Sequence, residues 1–167
     1  MRNQYPNHSI KKIRLDNAKE YRSALFTNFC DSLGIRLEYC VSYLHSQNGL
    51  AEANLKRIQG VAQPILAQSN LPSECWSHAA EHAVAILNVR PFAKKPSAHT
   101  QQNGEPASCS HFRTWGCAVY VTIPSINRES KLSARRKLGI YVGIQSPSII
   151  KYLDIEKGQT HFARFAD

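Results

Sequence analysis

The spacing of apolar residues changes once along this chain, between residues 105 and 112, and this change limits the folds that the chain can adopt. Before it, apolar residues recur at helical spacing in three stretches, with two short strand-like runs among them. After it come four β-type runs separated by turn residues, at 115–123, 138–142, 149–153 and 161–165. The pattern predicts an α/β part over 1–105 and a small all-β region over 106–167.

Within the first part, the pattern predicts a strand over Ile10–Leu15 and a second strand over Ile35–Val41. Helices are predicted over Arg22–Leu33, from Ala51 onwards and from Pro72 onwards. Gly34 should end the first helix, because glycine is common just after a helix C-terminus. Gly60 and Pro64 should weaken or bend the second helix. The pattern predicts a loop over 90–105. Apolar neighbours predict that Trp76 and Trp115 are core residues, and that Cys30 and Cys40 are small buried ones.

Two carboxylates stand in settings that suit metal chemistry. Asp16 follows the first predicted strand, and Glu52 lies at the start of the long predicted helix. Metal-dependent phosphoryl transfer needs hard oxygen ligands held close together on rigid elements. No Asp or Glu precedes Asp16 in this chain. Glu20 and Glu38 lie nearby in sequence, but each is more often a surface acid than a metal ligand.

The formal net charge of +9 is concentrated toward the C-terminal third. Seven Lys or Arg residues and one acid lie between residues 113 and 151. Such a cluster is either a solvated basic face or a surface that contacts phosphates, and charge alone does not separate the two.

Other features exclude several classes of protein. No apolar stretch reaches the length of a membrane span, and the first residues lack the apolar core of a signal peptide. The five cysteines form no CxxC pair, which favours reduced thiols. We therefore expect a nuclear or cytoplasmic protein that is not secreted.

The segment His78-Ala79-Ala80-Glu81-His82 fits the H-x-x-E-H pattern of inverted zinc peptidases. The predicted buried face of this helix runs through Trp76, Ala79, Ala80 and Ala83, which would leave both histidines facing outward. No third ligand is evident in the sequence, so the pattern is a weak indication of a metalloprotease.

Several motifs in order along the chain resemble the integrase of copia-type LTR retrotransposons, most closely the plant copies. They are DNAKEY at 16–21, QNGLAE at 47–52, LP at 71–72 with Trp76, NVRP at 88–91, WGCAVYV at 115–121 and RRKLGIYVG at 135–143. The resemblance implies part of a ribonuclease-H-like core that lacks its first strands, followed by the small β region. It also implies three acids that bind two divalent ions, normally Mg²⁺ or else Mn²⁺, for 3′-processing and strand transfer.

By position in these motifs, Asp16 resembles the second catalytic and metal-binding acid and Glu52 the third. The loop at 47–49 resembles the active-site loop of the family. The resemblance also implies two kinds of partner: DNA, both the LTR ends and the target duplex, and further copies of the integrase. The residues we expect to contact nucleic acid are Asn48, Lys56, Arg57, Arg135, Arg136 and Lys137. For Lys56, an ion pair with Glu52 one turn earlier is an equal alternative.

The chain also departs from the family pattern. The family's first Asp and its zinc module lie upstream of the position where this chain begins. Within the motifs and next to them, Lys19, His45 and Ala53 replace the residues that are usual in the family. We therefore expect an integrase fragment that belongs to DNA integration by ancestry and is inactive alone. The alternative is a non-catalytic remnant that binds nucleic acid through its basic β region. A strand at 10–15 without its usual neighbour should also make the fold marginally stable.

Overall fold

The computed structural model describes residues 9–40, 49–93 and 95–164. The chain divides into two compact units, residues 1–56 and 57–167. This boundary falls within a helix, whereas the boundary expected from the sequence pattern lies at 105/106 and remains a prediction about domains.

The first unit contains a two-stranded parallel sheet. Strands β1 (Lys12–Leu15) and β2 (Arg36–Tyr39) pair with Ile13 opposite Leu37. A 3₁₀ turn (Lys19–Arg22) and helix α1 (Ala24–Ser32) connect them. Both predicted strands and the predicted helix are confirmed, each somewhat shorter than its pattern suggested.

Local hydrogen bonds set both ends of α1. The Ser23 hydroxyl accepts a hydrogen bond from the Phe26 amide at 3.3 Å, which satisfies a free donor of the first turn. At the other end Gly34 has φ +64°, and its amide donates to the Asp31 carbonyl at 2.9 Å. Gly34 therefore ends the helix as predicted, because glycine adopts this left-handed conformation without steric cost.

Helix α2 (Gly49–Ser69) continues through Gly60 and Pro64. The predicted apolar stripe is used only in its second half, where Ala62, Ile65 and Leu66 pack against buried residues of the second unit. Nearer its start, Leu50 and Leu55 are exposed.

The second unit continues with a 3₁₀ turn (Ser73–Cys75), α3 (Trp76–Val89) and the short helix α4 (Ala98–Asn103). The prediction of a loop over 90–105 is therefore wrong in part. The Ser97 hydroxyl accepts from the Thr100 amide at 3.1 Å, and Gly104 ends α4 with φ +77°. These caps define a helix that is too short to show apolar periodicity in the sequence.

Four antiparallel strands complete the second unit in the order β3-β4-β5-β6. They are β3 (Ala118–Thr122), β4 (Arg136–Ser146), β5 (Ile149–Asp154) and β6 (Thr160–Arg164), with a 3₁₀ turn (Ser125–Asn127) after β3. Register shifts interrupt the pairing of β4 with β5, and the edge strands β3 and β6 also contact each other. Bulges of this kind bend a strand, so the sheet curls. The predicted all-β C-terminal region is confirmed.

Two clusters of buried residues support this unit. In the first, Cys75 and Ala79 pack against Trp115 and Val142. The second lies within the sheet and consists of Val121, Tyr141, Ile150 and Tyr152. Among the described residues, no helix is long and apolar enough to span a membrane.

The two tryptophans lie in opposite environments. Trp115 is 5% exposed, and its indole Nε1 donates to the Val142 carbonyl at 2.9 Å. Its predicted place in the core is confirmed. The same prediction for Trp76 is wrong, because Trp76 is 65% exposed and the buried face of α3 consists of Ala79, His82 and Ala83.

Candidate functional site

Asp16 directly follows β1 and is exposed. Its Oδ1 accepts a hydrogen bond from the Ala18 amide at 3.2 Å, the arrangement of an Asx turn. This contact orients the carboxylate locally, and no hydrogen bond from the described residues to its other oxygen is present.

A network of side chains around Asn17 holds the segment that carries Asp16. The Asn17 Nδ2 donates to the Cys40 carbonyl at 2.7 Å, which connects the end of β1 to the end of β2. Arg22 donates to the Asn17 Oδ1 and lies 5.3 Å above the Tyr39 ring. The sequence pattern did not predict the roles of Asn17 and Arg22. The one indication in the sequence was that Asn17, a polar residue, comes just after the end of the first predicted strand.

Glu52 lies in the first turn of α2, in the same compact unit as Asp16, and is exposed. Asn48 and the rest of the predicted loop before Gly49 lie outside the described residues. Lys56 is also exposed, and among the ion pairs of the described residues none joins it to Glu52.

The described residues do not build a complete metal site. No group of three His, Cys, Asp or Glu side chains in the described parts of the chain is placed to hold an ion. Glu38 is engaged elsewhere, because its carboxylate accepts from Lys12 at 3.0 Å and Arg14 at 3.3 Å. The hydrogen bond from Lys12, with that from Arg14, lowers the pKa of Glu38. Asp16 and Glu52 match metal ligands by type, but two carboxylates fall short of a two-metal site.

The basic residues at the start of β4 divide into two kinds. Arg135 and Arg136 are exposed. Lys137 donates from Nζ to the Asp154 Oδ2 at 2.5 Å and lies 5.5 Å from the centroid of the Tyr152 ring. The hydrogen bond with Asp154 raises the pKa of Lys137 and lowers that of Asp154. The ammonium group of Lys137 is therefore committed to a structural contact.

Asp154 also connects β5 to the turn that follows it. Asp154 is 2% exposed, and its Oδ1 accepts from the amides of Glu156 at 3.1 Å and Lys157 at 3.4 Å. Because a buried carboxylate is costly without partners, these contacts and Lys137 account for its position.

The histidines of the H-x-x-E-H pattern do not form a zinc site. His82 is 4% exposed and packs against the rings of Phe112 and Tyr141, each 5.6 Å away between centroids. Burial lowers the pKa of His82 to about 4. The expectation that His82 faces outward is wrong, because the helix turns Trp76 to the surface instead. Glu81 accepts from Lys151 at 2.6 Å, and His78 lies 3.7 Å from the same carboxylate oxygen.

Solved structures with a partial likeness to this chain include an intasome and an integrase catalytic core domain. The simian T-cell lymphotropic virus intasome in complex with PP2A regulatory subunit B56 gamma contains a chain with TM-score 0.49 and 17% identity, over 92% of this chain and 55% of that one. The catalytic core domain of BIV integrase has TM-score 0.45 and 16% identity, over 58% of this chain and 62% of that one. No protein-family model matches the chain.

Curated relatives are polyproteins of plant transposons. The chain is 31% identical over 137 residues to the retrovirus-related Pol polyprotein from transposon TNT 1-94 of Nicotiana tabacum, covering 80% of this chain. It is 23% identical over 158 residues to that from transposon RE2 of Arabidopsis thaliana, covering 93% of this chain. It spans only 10% and 11% of these two relatives. The chain is therefore similar to a part of the retrovirus-related Pol polyproteins of these two plant transposons.

Proposed function

We propose that this chain supplies the part of a copia-type integrase that carries the second and third metal-binding acids, Asp16 and Glu52. The observation that carries the proposal is the sequence relationship to plant Pol polyproteins across most of the chain. The positions of the two acids support it, because Asp16 follows a parallel strand and Glu52 lies in the first turn of a long helix. In this proposal the polypeptide belongs to DNA integration in the nucleus or cytoplasm and associates with further integrase copies.

The 167-residue polypeptide by itself should not join DNA ends. Family resemblance implies Mg²⁺ or Mn²⁺ held by three acids, and two-metal phosphoryl transfer needs ligands for both ions. No acid precedes Asp16, and Glu38 is bound by Lys12 and Arg14. A proposed role for Asp16 and Glu52 as catalytic residues therefore applies to a larger integrase that provides the remaining acid.

A strand-transfer assay tests this inactivity. The polypeptide would be incubated with oligonucleotides carrying LTR ends, a target duplex, and either Mg²⁺ or Mn²⁺. We expect no joined product above that of a Glu52→Gln variant. Joining by the wild-type chain that disappears in Glu52→Gln would show that the two acids suffice and would overturn the proposal of inactivity.

We further propose that Arg135 and Arg136 contact the phosphates of duplex DNA. Both are exposed, and none of the ion pairs among the described residues involves either of them. Each phosphate contact adds about 0.9 to the slope of log affinity against log salt concentration. Arg136→Ala should lower that slope by about 1 and weaken binding to all sequences alike.

Fluorescence anisotropy with a labelled duplex measures this binding across a range of salt concentrations. Asp16→Asn is the control that should leave affinity unchanged, because the Asp16 carboxylate would not be a phosphate contact. Affinity that is weak and indifferent to Arg135→Ala and Arg136→Ala would contradict the interface. Binding that persists in a chain with no role in strand transfer would favour the alternative of a non-catalytic remnant.

A further inference from the structure

A cleft of about 260 Å³ lies between α2 and the end of α3 in the second unit. Its lining comes from α2 and from the end of α3 with the residues that follow: Arg57, Gly60, Val61, Leu87, Arg90, Pro91 and Phe92. Among the described residues of this lining there are two arginines and no acid. The cleft therefore favours an anionic occupant.

An aromatic ring gives the cleft a second property. The Arg57 guanidinium lies 4.6 Å from the centroid of the exposed Phe92 ring, a cation–π distance. Backbone hydrogen bonds in both directions between Phe92 and Lys95, at 3.3 and 2.9 Å, close the turn that carries this ring. Ala93 between them has φ +47°, a conformation uncommon outside glycine. The Phe92 ring is thus carried on a hydrogen-bonded turn and contacts Arg57.

The floor of the cleft is apolar and has room. Val61 and Leu87 are the aliphatic residues of the lining, and a Cβ built on Gly60 would meet nothing within 4 Å. A flat apolar group can therefore lie beside Phe92, with its charged portion directed to Arg57 and Arg90.

We propose that this cleft binds one unpaired nucleotide of a DNA strand, its base stacked at Phe92 and its phosphate held by Arg90. A base inside a duplex is stacked on both faces and cannot offer one to a protein ring, so the occupant is single-stranded. The proposal rests on the proposed function, since it specifies which form of DNA this part of an integrase recognises. Arg90 and Phe92 become DNA-contacting residues that the motifs alone did not indicate.

Binding of a labelled oligothymidylate to the full chain tests the cleft at constant salt. Loss of one stacked base costs roughly 5- to 100-fold in affinity for a typical single-strand binder. Phe92→Ala and Arg90→Ala should each weaken oligothymidylate binding within that range, and Phe92→Tyr should retain it. Phe162→Ala is the matched control, because Phe162 is an exposed phenylalanine on β6, outside the cleft.

Two further measurements separate the outcomes. An oligonucleotide containing 5-iodouracil should photocrosslink to the peptide that contains Phe92, and thymidine monophosphate should compete for that crosslink only at far higher concentration if a strand is the ligand. Equal competition by the free nucleotide would overturn the strand as ligand. Oligothymidylate affinity unchanged in both Phe92→Ala and Arg90→Ala, or crosslinks only elsewhere, would overturn the cleft.

The same variants distinguish this inference from the proposed function. If Arg135→Ala and Arg136→Ala weaken duplex binding but Phe92→Ala leaves oligothymidylate affinity unchanged, only the proposal for the cleft is overturned. If neither Arg135→Ala nor Arg136→Ala changes duplex affinity, the proposed duplex interface is overturned, whatever the result with the single strand. Thermal melts of each variant would show that the fold is retained.

Discussion

Neighbouring basic residues at the start of β4 have different environments, and their substitution should separate them. Lys137 is bonded to the buried Asp154, whereas Arg136 is exposed. Lys137→Ala should lower the melting temperature by several degrees, because it leaves a buried carboxylate without its cation. Arg136→Ala should stay within about 0.5 kcal/mol of the wild-type unfolding free energy. Thermal denaturation of both variants measures the difference, and equal melting temperatures would contradict a structural role for Lys137.

The buried His82 should make stability depend on pH in a defined window. Its pKa is about 4 in the fold and 6.5 ordinarily, so the folded state favours the neutral ring. Because the folded pKa is depressed, the stabilising contribution is fully present above pH 6.5 and is lost as pH falls toward 4. Urea unfolding at pH 7 and pH 5 should show a loss of stability at the lower value.

His82→Leu is the control for that window. A leucine has no proton to gain, so the decrease in stability between pH 7 and pH 5 should shrink in this variant. Carboxylates also contribute to the pH dependence. Glu81, whose pKa is lowered in the fold, loses its contribution to stability only as the pH falls below the ordinary value of 4.5, so it affects the range between pH 7 and pH 5 less. An equal decrease in both proteins would show that His82 does not control it.

Sequence patterns identified some individual residues correctly and others not. Cys30, Cys40 and Trp115 are buried, as their apolar neighbours in the sequence predicted. Trp76 and His82 were assigned to the wrong sides of α3. Apolar character alone predicted the wrong buried face for α3. The small side chains of Ala79 and Ala83 allow the helix to pack closely against its neighbours, whereas Trp76, at the first helical position, lies at the surface.

At the scale of elements, the contact between α3 and the sheet depends on Trp115. Trp115→Ala should cost about 3–5 kcal/mol of unfolding free energy, since it removes a large buried ring and leaves the Val142 carbonyl without its donor. Trp76→Ala is the matched control and should change stability by less than about 0.5 kcal/mol at its exposed position. Urea denaturation followed by circular dichroism compares the two, and a similar cost for both would contradict the packing described.

Elements with strong periodicity were predictable, and those defined by tertiary contacts were not. The four C-terminal strands follow from alternating residues between turn signals. Helix α4 has no apolar stripe and depends on its caps at Ser97 and Gly104. Likewise, α2 shows one continuous stripe in the sequence, yet only its second half is packed in the core of the second unit.

At the scale of the whole molecule, the candidate catalytic acids and the candidate DNA-contacting arginines belong to different compact units. Asp16 and Glu52 lie in residues 1–56, and Arg135 and Arg136 lie in residues 57–167. The motifs predicted these residues by type and order, but a complete set of metal ligands was not predictable from this stretch. Catalytic geometry depends on long-range contacts, and the chain spans about a tenth of its polyprotein relatives.

The central claim is that Asp16 and Glu52 are integrase acids that need a third partner from a larger protein. A chimera tests it most directly, with residues 1–167 replacing the matched stretch of an active plant retrotransposon integrase. Strand transfer by the chimera in Mg²⁺ should be measurable and should be abolished by Asp16→Asn or Glu52→Gln. Glu20→Gln, which alters an exposed acid near Asp16, should retain it. Strand transfer that survives either Asp16→Asn or Glu52→Gln would contradict the account.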